Sequence, residues 1–123
     1  MTEGAIRLTI GSALENTPEP PAHLKTHGRA WWVEMVGQYR FSAADLPILR
    51  MAAEQLDRAE TARRRLRKDG QFITDRFGQV IEHPALAAEG KAGDRHERYT
   101  RRLNLDSRPV ANELPRLKRA AYK

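Results

Sequence analysis

The chain has no cysteine, which excludes disulfides and thiolate metal sites. No apolar stretch approaches the roughly 20 residues that a membrane helix needs, so no membrane partner is expected. The first residues lack the apolar core of a secretion signal, which points to the cytoplasm. Only 7% of residues are aromatic while 31% are charged. Much of the surface must therefore be solvated or lie against another subunit. At 123 residues the chain is one domain, or one domain with tails.

Cations are what the chain does have. Lys and Arg number 22 against 16 Asp and Glu, a net charge of +6. That balance suits a polyanionic partner. The first 40 residues are balanced, and the last 18 carry five basic groups against two acidic. The carboxy-terminal tail is the most basic piece per residue.

Residues 1–19 show no sustained period, although Ile6, Leu8 and Ile10 alternate with Arg7 and Thr9 as a short strand would. Pro18, Pro20 and Pro21 force an extended segment. We read 1–19 as a tail, ordered only if a neighbour pairs with it. A first helix is predicted over 21–39, with Leu24, Trp31, Trp32, Met35, Val36 and Tyr39 on its apolar side and Gly28 as a weak point. Ser42 and Asp45 resemble a capping box that starts a second helix over 43–69, where Gly70 serves as a left-handed stop. Its apolar stripe is narrow: Leu49, Ala52, Leu56, Ala59, Arg63 and Leu66 recur at three- and four-residue steps, close to a coiled-coil seam. Two β-rich pieces, 72–74 and 80–81, flank a turn at Arg76-Phe77-Gly78 and predict a hairpin over 71–82, which must pack on helices or join a neighbour's sheet. Pro84 opens a third helix to residue 103, with Ala88, Ala92, Tyr99 and Leu103 as a thin apolar line. Asn104 tolerates the left-handed turn useful there. The expected fold is mainly α: three helices, the central one long, with a β-hairpin between the second and third.

Motifs for catalysis and metal binding are incomplete. Residues 85–92 resemble a phosphate-binding loop but have Ala85 for the first glycine and Ala92 for the hydroxyl. His23 and His27 have metal-binding spacing without a third ligand. Asp69, Asp75, Glu82, Asp94 and Glu97 have no spacing that demands a two-metal site. No enzyme, metal or cofactor is expected.

The basic clusters carry the binding reading. Arg63, Arg64, Arg65, Arg67 and Lys68 place five cations in six residues. Some favour the helix carboxy-terminus, and Glu60 can pair with Arg64, but the run exceeds what capping needs. Consecutive arginines point in different directions around a helix, so they cannot all meet one partner. Arg95, Arg98 and Arg102 share a face at i, i+3, i+7. Arg108, Arg116, Lys118, Arg119 and Lys123 make the tail a candidate phosphate contact. Trp31 and Trp32 fall on a regular helical stripe, which favours packing over base stacking.

The proline-rich approach, Leu24, Trp32, Ser42-x-x-Asp45-x-x-x-Leu49, Asp69-Gly70, Asp75-Arg76-x-Gly78, His83-Pro84 and Leu103-x-Leu105-x-x-Arg108 together resemble the small subunit of bacteriophage terminases, the family common in long-tailed phages and prophages. The resemblance covers about residues 18–109. Asn104 departs from the glycine usual in the family. The resemblance implies a non-enzymatic, ring-forming protomer in the host cell cytoplasm. It would bind viral double-stranded DNA and regulate the large terminase subunit, which carries the ATPase and nuclease. On this reading residues 20–108 serve oligomerisation and DNA binding, and 109–123 form a basic tail. Trp31, Leu49, Leu56, Ala59 and Leu66 are the candidates for oligomer packing. The competing reading is a structural or connector-like phage assembly protein whose basic groups meet acidic protein surfaces.

Overall fold

From Leu46 to Asp69 the chain has no glycine and only two β-branched residues, Ile48 and Thr61. Nothing in that stretch breaks a helix, and Pro47 lies in the first turn, where its missing N–H costs nothing. The computed structural model describes residues 17–108. The elements are α1 (Thr26–Gln38), α2 (Leu46–Asp69), β1 (Phe72–Thr74), β2 (Val80–Glu82) and α3 (Pro84–Arg102), followed by a 3₁₀ turn at Leu105–Ser107. The protein is mainly helical, with an antiparallel hairpin between its second and third helices. Residues 1–16 and 109–123, which include most of the predicted amino-terminal tail and all of the basic tail, lie outside the described residues.

The central helix is about 36 Å long at 1.5 Å per residue, and both other helices pack on it. Its buried face is wider than the predicted seam: Leu49, Ala52, Ala53, Gln55, Ala59, Glu60 and Ala62 are all covered. Leu56 and Leu66 are only half-buried. The alanines allow close approach on two sides. On α3 the covered apolar residues are Ala85, Ala92 and Leu103, whereas Ala88 points to solvent. Ala92, Tyr99 and Leu103 keep to the predicted line, and only Ala88 leaves it; Ala85, seven residues before Ala92, is covered in its place.

Apolar packing concentrates where α1 and α3 end and α2 begins. Leu24, Trp32, Met35, Val36, Leu49, Ala53 and Leu103 form one cluster, with Tyr39, Phe41, Leu46 and Leu105 packed against it. Leu49 and Leu103 are fully buried, each contributing about 2 kcal/mol of apolar transfer.

The first helix starts at Thr26, not at residue 21. Pro21 instead accepts a turn hydrogen bond from the Leu24 N–H. The helix is capped from a distance: Asp57 on α2 accepts from the Lys25 and Gly28 N–H groups, both at 2.7 Å. Gly28 is therefore no weak point. A Cβ there would stand 2.5 Å from Asp57 Oδ2 and 2.7 Å from the Ala53 carbonyl oxygen, so only glycine lets α1 approach α2 this closely.

The second helix also starts late, at Leu46. Ser42 does not accept from a first-turn N–H. Its own N–H and hydroxyl both donate to Asp45 Oδ2, each at 2.9 Å. Arg108, 63 residues on, donates to the same oxygen at 2.6 Å. The Arg108 side chain also donates to the Leu103 and Arg40 carbonyls and lies over the Phe41 ring. Burial raises the Asp45 carboxyl, but these hydrogen bonds outweigh it and hold the group below its ordinary range. Arg108 is thus a clasp between the two ends of the fold, a correction to its placement among the basic-tail contacts.

Gly70 ends α2 at φ 83°, ψ 167°. This is not the left-handed helical stop expected but a region open essentially to glycine alone. Gly78 supplies the positive φ of the hairpin turn, where Asp75 Oδ1 accepts from the Phe77 and Gln79 N–H groups. Asn104 takes the expected left-handed conformation at φ 51°, ψ 55°. The neck of the hairpin is closed by His83. Its Nδ1 accepts from the Ala85 N–H, and its Nε2 lies 2.9 Å from Asp69. With Nδ1 an acceptor, Nε2 carries the proton and donates to Asp69. The strands themselves are open: Phe72, Val80 and Ile81 are exposed, and neither strand packs extensively on a helix.

Candidate nucleic-acid interface

The last turns of α2 sort their cations by direction. Arg63 and Arg67, one turn apart, face α3 and the buried end of Glu60. Arg63 Nε lies 2.9 Å from Glu89 and its Nη1 3.8 Å from Glu60, while Arg67 lies 3.3 Å from Glu60. His27 of α1 also reaches Glu60, at 3.9 Å. Burial raises the Glu60 carboxyl, yet Arg67, His27 and Arg63 together hold it below its ordinary value. The pairing of Glu60 with Arg64 does not form.

Arg64, Arg65 and Lys68 are exposed, and among the described residues they make no hydrogen bond or ion pair. Spaced at i, i+1 and i+4, they share one outer surface of the helix. Their field reaches Asp69, whose carboxyl is lowered first by the hydrogen bond from His83 and further by Arg65 and Lys68. Of the five candidate cations in this run, these three are available to phosphate. Arg63 ties α2 to α3 through Glu89, and Arg67 is paired within α2 with Glu60.

The second cluster forms as predicted on the outer face of α3. Arg95, Arg98 and Arg102 are exposed and unpaired among the described residues, and Arg101 is paired with Glu97 at 2.6 Å. The two clusters do not converge. The contacts of Arg63 with Glu89 and of His96 with the Ala52 carbonyl fix α3 antiparallel to α2. Arg98 therefore lies level with the first half of α2, roughly 20 Å along the axis from Arg64–Lys68. Arg116, Lys118 and Arg119 lie outside the described residues.

The oligomer-packing candidates divide as well. Leu49 and Ala59 are buried inside the protomer, so their packing is internal. Trp31, Leu56 and Leu66 are half-buried and keep surface for a further contact. Trp31 stacks edge-on against His96 at 4.8 Å, and the Trp32 indole N–H donates to the Pro18 carbonyl at 3.0 Å. Both tryptophans are thus packed rather than presented to bases.

Several other candidate polar groups have partners. His23 meets Glu54 at 2.7 Å, separate from His27 on Glu60. Residues 85–92 are helical throughout, not a loop. Asp69, Asp75 and Glu97 serve the hairpin neck, the hairpin turn and an ion pair. Among the described residues no group of three His, Asp or Glu side chains is placed to hold a metal, and no helix is long and apolar enough to cross a membrane.

Sequence reasoning did not find the Asp57 cap, the Arg108 clasp or the His96–Ala52 contact. Each joins residues at least 29 positions apart, and no local period marks such a pair. Comparison of the chain with protein-family models, with curated proteins and with solved structures finds no match.

Proposed function

We propose that this chain is the small subunit of a bacteriophage terminase. It acts as a homo-oligomeric ring that binds viral double-stranded DNA and regulates the large ATPase and nuclease subunit during genome packaging. The observation that carries this reading is where the residues of the resemblance sit. Scattered over some ninety positions, they meet at two places. Leu24, Trp32, Leu49, Leu103 and Leu105 share the core, closed by Ser42, Asp45 and Arg108. Asp69, Gly70, His83 and Pro84 form the hairpin neck, with Asp75 and Gly78 at its turn.

The outer cations supply the binding chemistry. Three on α2 and three on α3, set apart along one protomer, are a weak phosphate-binding set. Repeated around a ring they form a continuous positive band, and avidity raises affinity without any new contact. The large subunit supplies the chemical steps, so the small subunit needs no nucleophile or metal of its own.

Light scattering at micromolar concentration, followed by titration of viral DNA fragments across a salt series, tests the reading. A single large oligomer whose log affinity falls steeply with log salt is expected. Arg64→Ala/Arg65→Ala/Lys68→Ala should flatten that slope by about two to three units for each protomer in contact with DNA, with the oligomer intact. A monomer that binds no DNA overturns the proposal. An oligomer indifferent to DNA favours the assembly-protein reading, toward which the exposed apolar hairpin also points.

A further inference from the structure

The hairpin is the least satisfied part of the described structure. Among the described residues its strands pair only with each other, through Phe72–Glu82, Ile73–Ile81 and Thr74–Val80. Both outer edges are therefore templates for another strand. Paired residues share a face, so Phe72 and Val80 lie on the same side. They are 60% and 73% exposed. A bare two-stranded hairpin is marginal in water, and this one has little helix surface to rest on.

One segment outside the described residues has the matching period. From Ala5 to Ile10 there is no proline or glycine, and Ile6, Leu8 and Ile10 alternate with Arg7 and Thr9. The other terminal stretch does not fit, because Val110, Leu114 and Leu117 follow helical steps and Pro115 interrupts them.

Length decides which copy provides the strand. Pro18 is fixed against Trp32 in the core. The hairpin neck is at the far end of α2, roughly 30 Å from Leu49 to Gly70. The eight residues from Pro18 back to Ile10 reach about 27 Å when fully stretched. A chain's own segment would be taut before it touched the neck, and pairing along β1 or β2 requires more. A second copy's segment has no such limit.

We propose that residues 6–10 of one copy add as a strand to the hairpin edge of another, with Ile6, Leu8 and Ile10 extending the apolar face of Phe72 and Val80. The proposal rests on the homo-oligomer part of the reading above and is independent of DNA. Main-chain hydrogen bonds would supply affinity and the alternate side chains specificity, as in other strand additions. Donor and acceptor surfaces differ, so the contact is head-to-tail and can close into a ring.

The absence of native cysteine makes the test direct. Copies carrying Leu8→Cys are mixed with copies carrying Thr74→Cys or Val80→Cys and oxidised. The expected product is a disulfide-linked pair containing one of each. In parallel, Leu8→Pro should lower the mass seen by light scattering while far-UV helicity stays unchanged. An oligomer that keeps its mass with Leu8→Pro and yields no mixed disulfide overturns the strand exchange and leaves the homo-oligomer standing. A wild-type chain that is monomeric at micromolar concentration overturns both.

Discussion

At the start of α2, Leu49 is fully buried in one cluster with Trp32 and Leu103, and Ser42 and Arg108 both hold the Asp45 carboxylate. At its end, Arg64, Arg65 and Lys68 make no ion pair among the described residues, and the hairpin that follows exposes Phe72, Phe77 and Val80. One helix thus joins a closed region to an open one. The closed region gathers segments far apart in sequence and accounts for most of the apolar burial. The open region is held mainly by local bonds at the His83 neck and the Asp75 turn. Stability is concentrated at the first, while surface suited to partners is left at the second.

The sharpest way to break this contrast is to cut a matching side chain from each region. Leu103→Ala should cost about 4 kcal/mol, read as a lower urea midpoint. Next comes Gly28→Ala. In an isolated helix this change stabilises by about 1 kcal/mol, but here the new methyl would displace Asp57 from the α1 cap and should cost about 2–3 kcal/mol. A gain in stability on urea titration would refute the close approach of α1 and α2.

Arg108→Met tests the clasp and should cost about 2 kcal/mol at neutral pH, from lost hydrogen bonds to a charged group. The sign of its pH dependence follows from Asp45. That carboxyl is lowered in the fold, so its contribution is present above the ordinary aspartate range and is lost as pH falls through the lowered value. Wild type and variant should therefore converge in stability under acid, and parallel thermal melts across pH would reveal a gap that persists. The smallest effect belongs to the open region. Phe77→Ser and Val80→Thr should change protomer stability by no more than about 0.5 kcal/mol. If either unfolds the protein at modest urea, the hairpin is part of the core and the contrast fails.

Local chemistry made much of this legible in advance. The hairpin turn was readable because Asp75 and Gly78 act within five residues of each other, and Asn104 because left-handed backbone tolerates few side chains. The boundaries of α1 and α2 were not readable. Pro20-Pro21 and Ser42-x-x-Asp45 are valid start signals, but Asp57 and Arg108 moved both starts a few residues downstream. The candidate interface divided in the same way. Charge counting located the run from Arg63 to Lys68, while the pairing of Arg63 with Glu89 depended on how α3 lies against α2.

What the sequence by itself determined is the order and kind of the elements: three helices, a hairpin, a left-handed Asn104 and two cationic faces. Those follow from propensity, periodicity and turn chemistry, which act over a few residues. Only the tertiary structure decided that Gly28 is a contact rather than a flaw, that Arg108 is a clasp rather than a free cation, and which arginines remain open. Those outcomes depend on which groups distant in sequence come within about 3 Å of each other, the range over which hydrogen bonds and close packing act, and no period in the chain records that distance.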